Sequence, residues 1–262
     1  KELANGILRH PANAEFHQAV AEGQIKADEY YLHLLRLIYR LLFLIVTEER
    51  KLVYPDTQDP AIQRMRKIYY EHYSIERLRK LAASLRFIDG RKWDLWEGLM
   101  ATFKLFENGF YGKKLGIQPL GSGLFSEAAL GEIPVQKMDN ESLLKVIRNL
   151  TFFENEQKQF VRVNYSDLDV EEFGSVYEGL LEYDATFVDV NGRMEFAFKK
   201  GTGRSSSGSH YTPEELVRPL IKHSLDYLIA DKLKEADPEA ALLSLRVADV
   251  ACGSGHILLS AA

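Results

Sequence analysis

Cysteine is almost absent from this sequence, which contains a single one, Cys252, among 262 residues. One cysteine excludes an intrachain disulfide, and it excludes a zinc site built from several cysteines. Such scarcity is typical of proteins that stay in a reducing compartment, so we expect a cytoplasmic protein. We expect Cys252 itself to be a small packing residue rather than a nucleophile.

The sequence also lacks a secretory signal at its start and a long apolar run free of charge. The longest apolar candidate covers residues 30–46, and His33, Arg36 and Arg40 interrupt it. Charged side chains inside a lone membrane span are costly, so we expect a buried helix at the centre of a soluble core and no membrane partner. Because the chain opens on Lys1 rather than Met, we also expect the natural protein to begin earlier.

Composition indicates an ordinary folded protein, with 46% hydrophobic and 27% charged residues. The net charge of -5 does not favour nucleic-acid binding by the whole chain. The charge is uneven, however: residues 61–92 hold nine Lys and Arg against three acids, and residues 166–195 hold nine acids against Arg193 alone. The basic stretch could contact phosphates, or it could be a solvated helix face, and we favour the solvated face.

Residues 1–165 read as a mainly helical region, which we interpret as an N-terminal spacer. Ser74 can cap a helix over residues 75–87, and a second helical pattern covers residues 92–107. Large apolar residues on its repeating turns are expected in the core rather than on a base-stacking platform. These residues are Trp93, Trp96, Leu99, Phe103 and Phe106.

Glycines are frequent between residues 109 and 131, and we expect an irregular loop there. A further helix near residues 140–150 should be capped by Asp139 or Asn140.

The middle of the chain, residues 166–205, has its own signals. Asp169 with Glu172 three positions later resembles an acidic capping box at the start of a helix. The Asn191-Gly192 pair then separates two alternating runs, FVDV and RMEFAF. Asn-Gly is the favoured two-residue hairpin turn because both central residues take positive φ, so we expect a small β-hairpin. The Gly- and Ser-rich stretch at residues 200–209 should be a loop.

Two motifs mark residues 206–262, and the first is GSHYTPEEL at residues 208–216. Thr212 is placed to cap a helix, Pro213 suits the first helical position, and Glu215 completes a capping box. We expect the helix to run to about Leu233.

The second motif, LRVADVACGSGHILLSA, begins at Leu245. Residues 245–250 have the length of a buried parallel strand, and glycines then make a tight turn into a helix starting near His256. A strand, a glycine-rich turn and a helix open a doubly wound nucleotide-binding sheet. The third glycine position of a dinucleotide-binding turn holds Leu258, and no GK[ST] follows, so a ligand without a pyrophosphate fits better.

These two motifs together resemble those of the gamma-type, amino-group adenine DNA methyltransferases. DVACGSGHILL is similar to the family's D-P-A-C-G-S-G-x-F-L, the S-adenosylmethionine-binding motif I, and GSHYTP is similar to its motif X, G-x-Y-Y-T-P, in the family's order and spacing. YRLLFLIVTEER, GSGLF and GSVYEGLLEY are similar to the helical region ahead of the core in fused type II restriction-and-modification enzymes and in phage-defence methyltransferases.

The resemblance implies a mainly α N-terminal region with a small hairpin, followed by the start of a Rossmann-like α/β methyltransferase domain. It also implies methyl transfer to adenine in double-stranded DNA, with the target base flipped out of the helix, in restriction-modification or phage defence. Two of the matching positions would contact the methionine end of the cofactor, and four would shape its pocket. They are Tyr211 and Thr212, and then Asp249, Ala251, Gly253 and Gly255.

The sequence departs from the family pattern at two places. Val250 replaces the usual proline, and His256-Ile257 replaces the aromatic neighbourhood that usually follows the glycines. We expect His256 to be a helix-start residue rather than a catalyst. The family's catalytic tetrapeptide, [DNS]-P-P-[YF], is absent, and the chain ends at Ala262. We therefore expect a piece of a longer methyltransferase that is inactive alone, with a fused nuclease left open.

Two alternatives remain at this point. One is a non-catalytic helical module that spaces DNA or binds a partner within a restriction system. The other is a methyltransferase that acts on RNA or protein.

Overall fold

The computed structural model describes residues 1–84, 89–168, 172, 183–200, 212–250, 252 and 255–262. This part of the chain is mostly helical and contains two small antiparallel sheets of two strands each. The predicted mainly helical N-terminal region with a small hairpin is therefore confirmed. The chain divides into two compact units: Lys1–Asp167 with Ala185–Lys199, and Leu168–Asp184 with Lys200–Ala262.

The first unit is built from helices and short strands. Its helices are α1 (Glu2–Arg9), α2 (Ala14–Ala21), α3 (Ala27–Glu49), α4 (Pro60–His72), α5 (Ile75–Ala83), α6 (Asp94–Glu107), α7 (Gly109–Gly112) and α8 (Asn140–Thr151). A small sheet of β1 (Phe152–Glu154) and β2 (Phe160–Arg162) follows α8. The hairpin strands are β3 (Tyr183–Val190) and β4 (Arg193–Lys200).

Helix α3 is the core helix that the apolar run at residues 30–46 predicts. Its buried side chains include Leu37, Leu41, Leu44 and Ile45, each fully enclosed. Within the described residues it is the one helix long and apolar enough to cross a membrane, and 56% of its apolar window is buried in the protein. Burial of this stretch against other helices accounts for its composition without a membrane.

The predicted helix starts are reproduced where a local cap exists. The Ser74 hydroxyl accepts the amide hydrogen of Arg77 at the start of α5, and the Asp139 carboxylate accepts that of Ser142 at the start of α8. Helix α5 ends at Ala83, earlier than the predicted residue 87, and residues 85–88 lie outside the described part.

The large apolar residues in and just before α6 lie in the core, as predicted, with one exception. Trp96, Leu99, Phe103 and Phe106 are buried, whereas Trp93 just before the helix is 38% exposed.

The glycine-rich region at residues 109–131 is more ordered than an irregular loop. It contains α7 and the 3₁₀ turns Lys113–Leu115, Gly123–Phe125 and Glu127–Leu130. Arg40 of α3 holds it in place, donating to the carbonyls of Leu124 (2.8 Å) and Ser126 (2.7 Å) and to the Glu107 carboxylate (2.7 Å). Arg40 and Glu107 therefore form a buried structural ion pair.

The hairpin forms where the sequence predicts it. Asn191 and Gly192 lie between the two strands with φ of 55° and 78°, as a two-residue turn of this kind requires. The buried side chain of Asn5 in α1 pairs with the backbone of Phe196: its amide donates to the carbonyl (3.1 Å), and its oxygen accepts the N–H (2.8 Å). Apart from Glu172, the acidic helix predicted from Asp169 falls outside the described residues, and so does the loop predicted at residues 200–209 apart from Lys200, which ends β4.

The second unit carries the segments that resemble the methyltransferase motifs. Among its described residues the helices are α9 (Glu214–Ile221), α10 (Tyr227–Lys232), α11 (Pro238–Leu243) and α12 (His256–Ala261), and a π-helical turn, Lys222–Asp226, joins α9 to α10. The predicted continuous helix to Leu233 is thus interrupted. Pro219 lies inside α9 and has no N–H for the helical ladder, which is consistent with the irregular turn after it.

The predicted buried strand at residues 245–250 is wrong for this structure. Residues 245–249 have no regular structure, Val247 is 48% exposed, and Val250 is fully exposed. A parallel strand satisfies its N–H and C=O groups by pairing with neighbours, and no strand forms among the described residues after Thr212. Residues 245–250 therefore have the composition of a buried strand, but the described residues contain no neighbouring strand with which they could pair.

Candidate functional site

Six residues are candidates for the methyl-donor pocket, and the structure describes three of them: Thr212, Asp249 and Gly255. Tyr211, Ala251 and Gly253 lie outside the described residues. All three described candidates belong to the second unit.

Thr212 lies two residues before the start of α9, and it is not the helix cap. Pro213 occupies the cap position with extended backbone, and no side chain among the described residues caps this helix start. The carbonyl of Pro213 accepts the amide hydrogens of Leu216 (2.9 Å) and Val217 (3.2 Å), so the helical ladder starts one residue later than predicted. This register leaves the Thr212 carbonyl outside the helix and able to accept another donor.

Gly255 forms the bend into α12. Its φ is 83°, in the left-handed region that glycine adopts without strain, and its carbonyl accepts the amide hydrogen of Leu259 at 2.8 Å. No atom of the described residues lies within 4 Å of where a Cβ would stand, and the positive φ alone accounts for glycine here. The helix predicted to start near His256 starts at His256.

His256 brings the two motif segments together. Its imidazole is buried, and Nδ1 lies 3.1 Å from the Thr212 carbonyl oxygen. The other ring nitrogen, Nε2, lies 2.7 Å from the Glu214 carboxylate in the first turn of α9. Helices α9 and α12 pack against each other around this contact. These contacts of His256 could not be predicted from the sequence, because Thr212 and Glu214 lie more than forty residues earlier in the chain.

The Glu214 carboxylate lies between the side chains of His256 and Arg218. Its second oxygen accepts Nε of Arg218 at 2.8 Å, one helical turn further along α9. The hydrogen bond from Arg218, and after it the one from His256, lowers the pKa of Glu214. Glu214 therefore faces His256 as an ionised carboxylate.

Asp249 and Cys252 lie on the segment between α11 and α12. Asp249 is half-buried in irregular backbone rather than at the end of a strand. Cys252 is exposed, so the prediction that it is a small packing residue is wrong. Its place next to the glycine turn leaves it outside the packed part of the unit.

The basic stretch at residues 61–92 spreads over α4, α5 and the segment before α6. Four of its eight described basic residues make ion pairs: Lys67, Arg79, Lys80 and Arg91. Arg79 is buried, joined to the carboxylate of Glu49 at 2.6 Å. The stretch is thus partly internal structure, and its exposed members include Arg64 and Lys92.

Two further features of the first unit are not indicated by the sequence. Glu48 of α3 is buried, and its carboxylate accepts Tyr69 Oη and the backbone amides of Ile75 and Glu76. A cavity of about 340 Å³ lies between α6 and the glycine-rich region, with charged groups of both signs on its wall. Those groups are Arg40, Lys104, Glu107 and Glu127. The residues next to Glu48 and next to the cavity-lining charges in the sequence do not show that these side chains are buried or line a cavity, because charged residues on the surface have similar neighbours.

The described residues contain no cluster of His, Cys, Asp and Glu able to hold a metal ion. No protein-family model, curated protein or solved structure matches the chain.

Proposed function

We propose that this chain is the front part of an S-adenosylmethionine-dependent adenine DNA methyltransferase, and that its second unit contributes one half of the methyl-donor pocket. The enzyme would act in the cytoplasm in restriction-modification or phage defence. It would transfer the methyl group to the amino group of an adenine flipped out of double-stranded DNA.

The observation that carries the proposal is the meeting of the two motif segments. Thr212 and Gly255 belong to stretches more than forty residues apart, and the 3.1 Å contact between the Thr212 carbonyl and His256 joins them. A donor pocket built from both motifs needs this proximity. One stretch is expected to contact the methionine end of the donor, and the other, which contains the glycine turn, is expected to shape the rest of the pocket. Segments lying far apart would have counted against the family.

The exposed apolar surface of the second unit also fits the proposal. Leu216 and Leu220 lie one turn apart on α9 with 64% and 49% of their surface exposed, and Leu259 of α12 is 59% exposed. In a doubly wound domain such side chains cover the face of a parallel sheet. We therefore propose that residues 245–250 become a strand when neighbouring strands are available to pair with them.

The chain contains no [DNS]-P-P-[YF] tetrapeptide, so the transfer step is assigned to residues outside it. Within the chain, the proposed roles are binding ones. Tyr211 and Thr212 would bind the methionine end, and the segment from Asp249 to Gly255 would surround the rest of the donor.

The proposal is tested by donor binding. Ligand-observed NMR with S-adenosylmethionine should detect weak binding to the chain, and Asp249→Asn and Gly255→Val should each reduce it. Valine disfavours the left-handed φ of the turn. The matched control is Asp231→Asn, which removes an exposed carboxylate of α10 paired with Lys234. Binding unchanged by both pocket substitutions, or no binding, would contradict the proposal.

A second experiment separates methyl transfer from the alternative of a helical DNA-spacing or partner-binding module. A protein carrying this chain together with the tetrapeptide should move labelled methyl groups into unmodified DNA. The exposed basic residues Arg64 and Lys92 are the observation that favours the alternative. DNA binding without transfer, whose salt dependence flattens in Arg64→Gln and Lys92→Gln, would support the module instead.

A further inference from the structure

The cavity between α6 and the glycine-rich region has the size and lining of a small-molecule site. Its volume of about 340 Å³ lies at the lower end of the roughly 300–1,000 Å³ that such sites occupy, so it suits a compact ligand. Met100, Phe103 and Leu130 are buried side chains that give it an apolar wall. The ring of Tyr111, which is 47% exposed, also lines it. The apolar body of a ligand would therefore find matching surface here.

Arg40 fixes the shape of this cavity. Its buried guanidinium group donates to the Glu107 carboxylate, which lines the cavity, and to the carbonyls of Leu124 and Ser126, just ahead of the opposite wall. Helix α6 and the glycine-rich region are thus joined through one side chain of α3. Because the walls are already held together, a ligand that enters orders little of the protein, which favours binding.

Two charges on the lining have no ionic partner among the described residues. Lys104 and Glu107 lie three positions apart on α6, a spacing at which opposite charges pair, but Lys104 Nζ lies 5.9 Å from the centre of the Tyr111 ring instead. Glu127 accepts one hydrogen bond, from the Asn108 amide at 3.2 Å, and pairs with no cation of the described chain. Since the buried ion pair is neutral as a whole, the lining retains one unpaired charge of each sign.

We propose that this cavity binds a free α-amino acid with an aromatic or large aliphatic side chain. Lys104 binds the carboxylate of the ligand, Glu127 binds its ammonium group, and the apolar wall covers its side chain. The second carboxylate oxygen of Glu107 accepts no hydrogen bond from the described residues, so it is a further acceptor for the ammonium group. The inference does not rest on the proposed methyltransferase function, because the whole lining belongs to the first unit.

The balance of charge favours a zwitterion over other compact ligands. An amino acid is neutral overall and brings one group of each sign, which matches the two unpaired side chains. A nucleotide would bring a phosphate of up to two negative charges close to two carboxylates, with Lys104 alone to offset it. An organic amine would leave Lys104 without a partner, and a simple carboxylic acid would leave Glu127 without one.

Three ligands that share one aromatic body test whether both charges are recognised. At pH 7, L-phenylalanine carries both charged groups, phenethylamine lacks the carboxylate, and 3-phenylpropionate lacks the ammonium group. In ligand-observed NMR titrations of the chain, we expect L-phenylalanine to bind about tenfold more tightly than either analogue, because each charge-assisted hydrogen bond contributes about that factor. Equal binding of the three ligands would overturn the proposal. Absence of binding by both L-phenylalanine and L-leucine, or tighter binding of deoxyadenosine monophosphate, would also overturn it.

Two substitutions test the assignment of the charged groups. Lys104→Gln should weaken L-phenylalanine binding about tenfold without weakening phenethylamine binding, since the amine has no carboxylate for Lys104 to bind. Glu127→Gln should weaken L-phenylalanine binding to a similar extent without weakening 3-phenylpropionate binding. Both side chains are exposed, so both variants should fold, and urea unfolding checks that they do.

The matched controls are Lys145→Gln and Glu141→Gln, which make the same chemical changes on the exposed face of α8. L-Phenylalanine binding that falls equally in these controls, or that is unchanged in both cavity variants, would overturn the site. The outcome is separate from that of the proposed function. Donor binding that falls in Gly255→Val but not in Lys104→Gln belongs to the second unit, whatever the amino acid titrations show.

Discussion

Glu48 is a carboxylate buried beside the start of a helix to which it does not belong. It lies near the end of α3, and its two oxygens accept the first amide hydrogens of α5, both at 2.8 Å. Burial raises the pKa of Glu48 to about 7, although the hydrogen bonds from Tyr69, Ile75 and Glu76 act in the opposite direction. At this position the effect of burial on the pKa is larger than the combined effect of the three hydrogen bonds.

The raised pKa makes a prediction about stability against pH. The folded chain holds the Glu48 proton more tightly than the unfolded chain, whose carboxyl has a pKa of 4.5. The stabilising contribution is therefore complete below pH 4.5 and is lost as pH rises through about 7. In Glu48→Gln this contribution disappears, so the stability difference between the two proteins should change across that window by on the order of 3 kcal/mol.

Urea unfolding of both proteins between pH 4 and pH 8 measures this difference. The control is Glu141→Gln, which makes the same chemical change on the exposed face of α8, where Glu141 pairs with Lys145. Its pH profile should follow that of the unmodified chain. A Glu48→Gln profile parallel to the unmodified one would show that the buried carboxyl does not titrate in this range.

At the scale of elements, Asn5 attaches the hairpin to the helices. Its side-chain amide makes both hydrogen bonds that a neighbouring strand would make to Phe196 of β4. Aromatic packing adds to the attachment, with the Phe196 ring 6.0 Å from that of Tyr30 in α3. One buried amide thus replaces a strand along this part of the hairpin edge.

We predict that Asn5→Ala lowers the free energy of unfolding by about 1–3 kcal/mol, because the buried N–H and C=O of Phe196 lose their partners. Hydrogen exchange should rise in β4 before it rises in α6. Asn155→Ala, in the exposed turn between β1 and β2, is the control and should leave β4 protected. Equal protection of β4 in Asn5→Ala and the unmodified chain would mean that aromatic packing alone holds the hairpin.

The sequence predicts those elements whose causes are local. Ser74 and Asp139 mark their helix starts because a cap lies within three residues of its donor. Asn191-Gly192 marks the hairpin because the turn itself requires positive φ. The buried helix α3 follows from composition alone.

Elements and contacts with distant causes could not be predicted. The strand expected at residues 245–250 depends on neighbours that its own sequence does not contain. Arg40 orders the glycine-rich region through carbonyls 84 and 86 positions away, and the His256 contact spans 44 positions. At the candidate site, the glycine turn and helix start followed from the motif. The Glu214 partner and the one-residue shift of the α9 cap did not.

On the scale of the whole molecule, the second unit differs from the first in how much apolar surface it leaves in water. Large apolar side chains on α9, α10, α11 and the following segment are each about half exposed or more. They include Leu216, Leu220, Tyr227, Leu228, Leu233, Leu243, Val247 and Val250. Exposed apolar side chains that form one contiguous patch mark an interaction face in a folded protein.

We predict that the chain binds the dye ANS through this surface. Replacing Leu216 and Leu220 together with glutamine should weaken dye fluorescence while changing the free energy of unfolding by less than about 1 kcal/mol, because both side chains are largely exposed. Val135→Thr, at a 68% exposed position of the first unit, is the control. Dye fluorescence that falls as much in the control would assign the binding to the first unit.

The carboxylate of Glu48 also has a consequence for the order of folding. The opening turn of α5 has four amide hydrogens to satisfy: the Tyr69 carbonyl takes that of Ser74, the Ser74 hydroxyl takes that of Arg77, and Glu48 takes the remaining two. A peptide containing only α5 and its cap Ser74 lacks the acceptors of three of these four amide hydrogens. Helix α5 should therefore become persistent only after the end of α3 has docked beside it, which makes α3 the earlier of the two on the folding pathway.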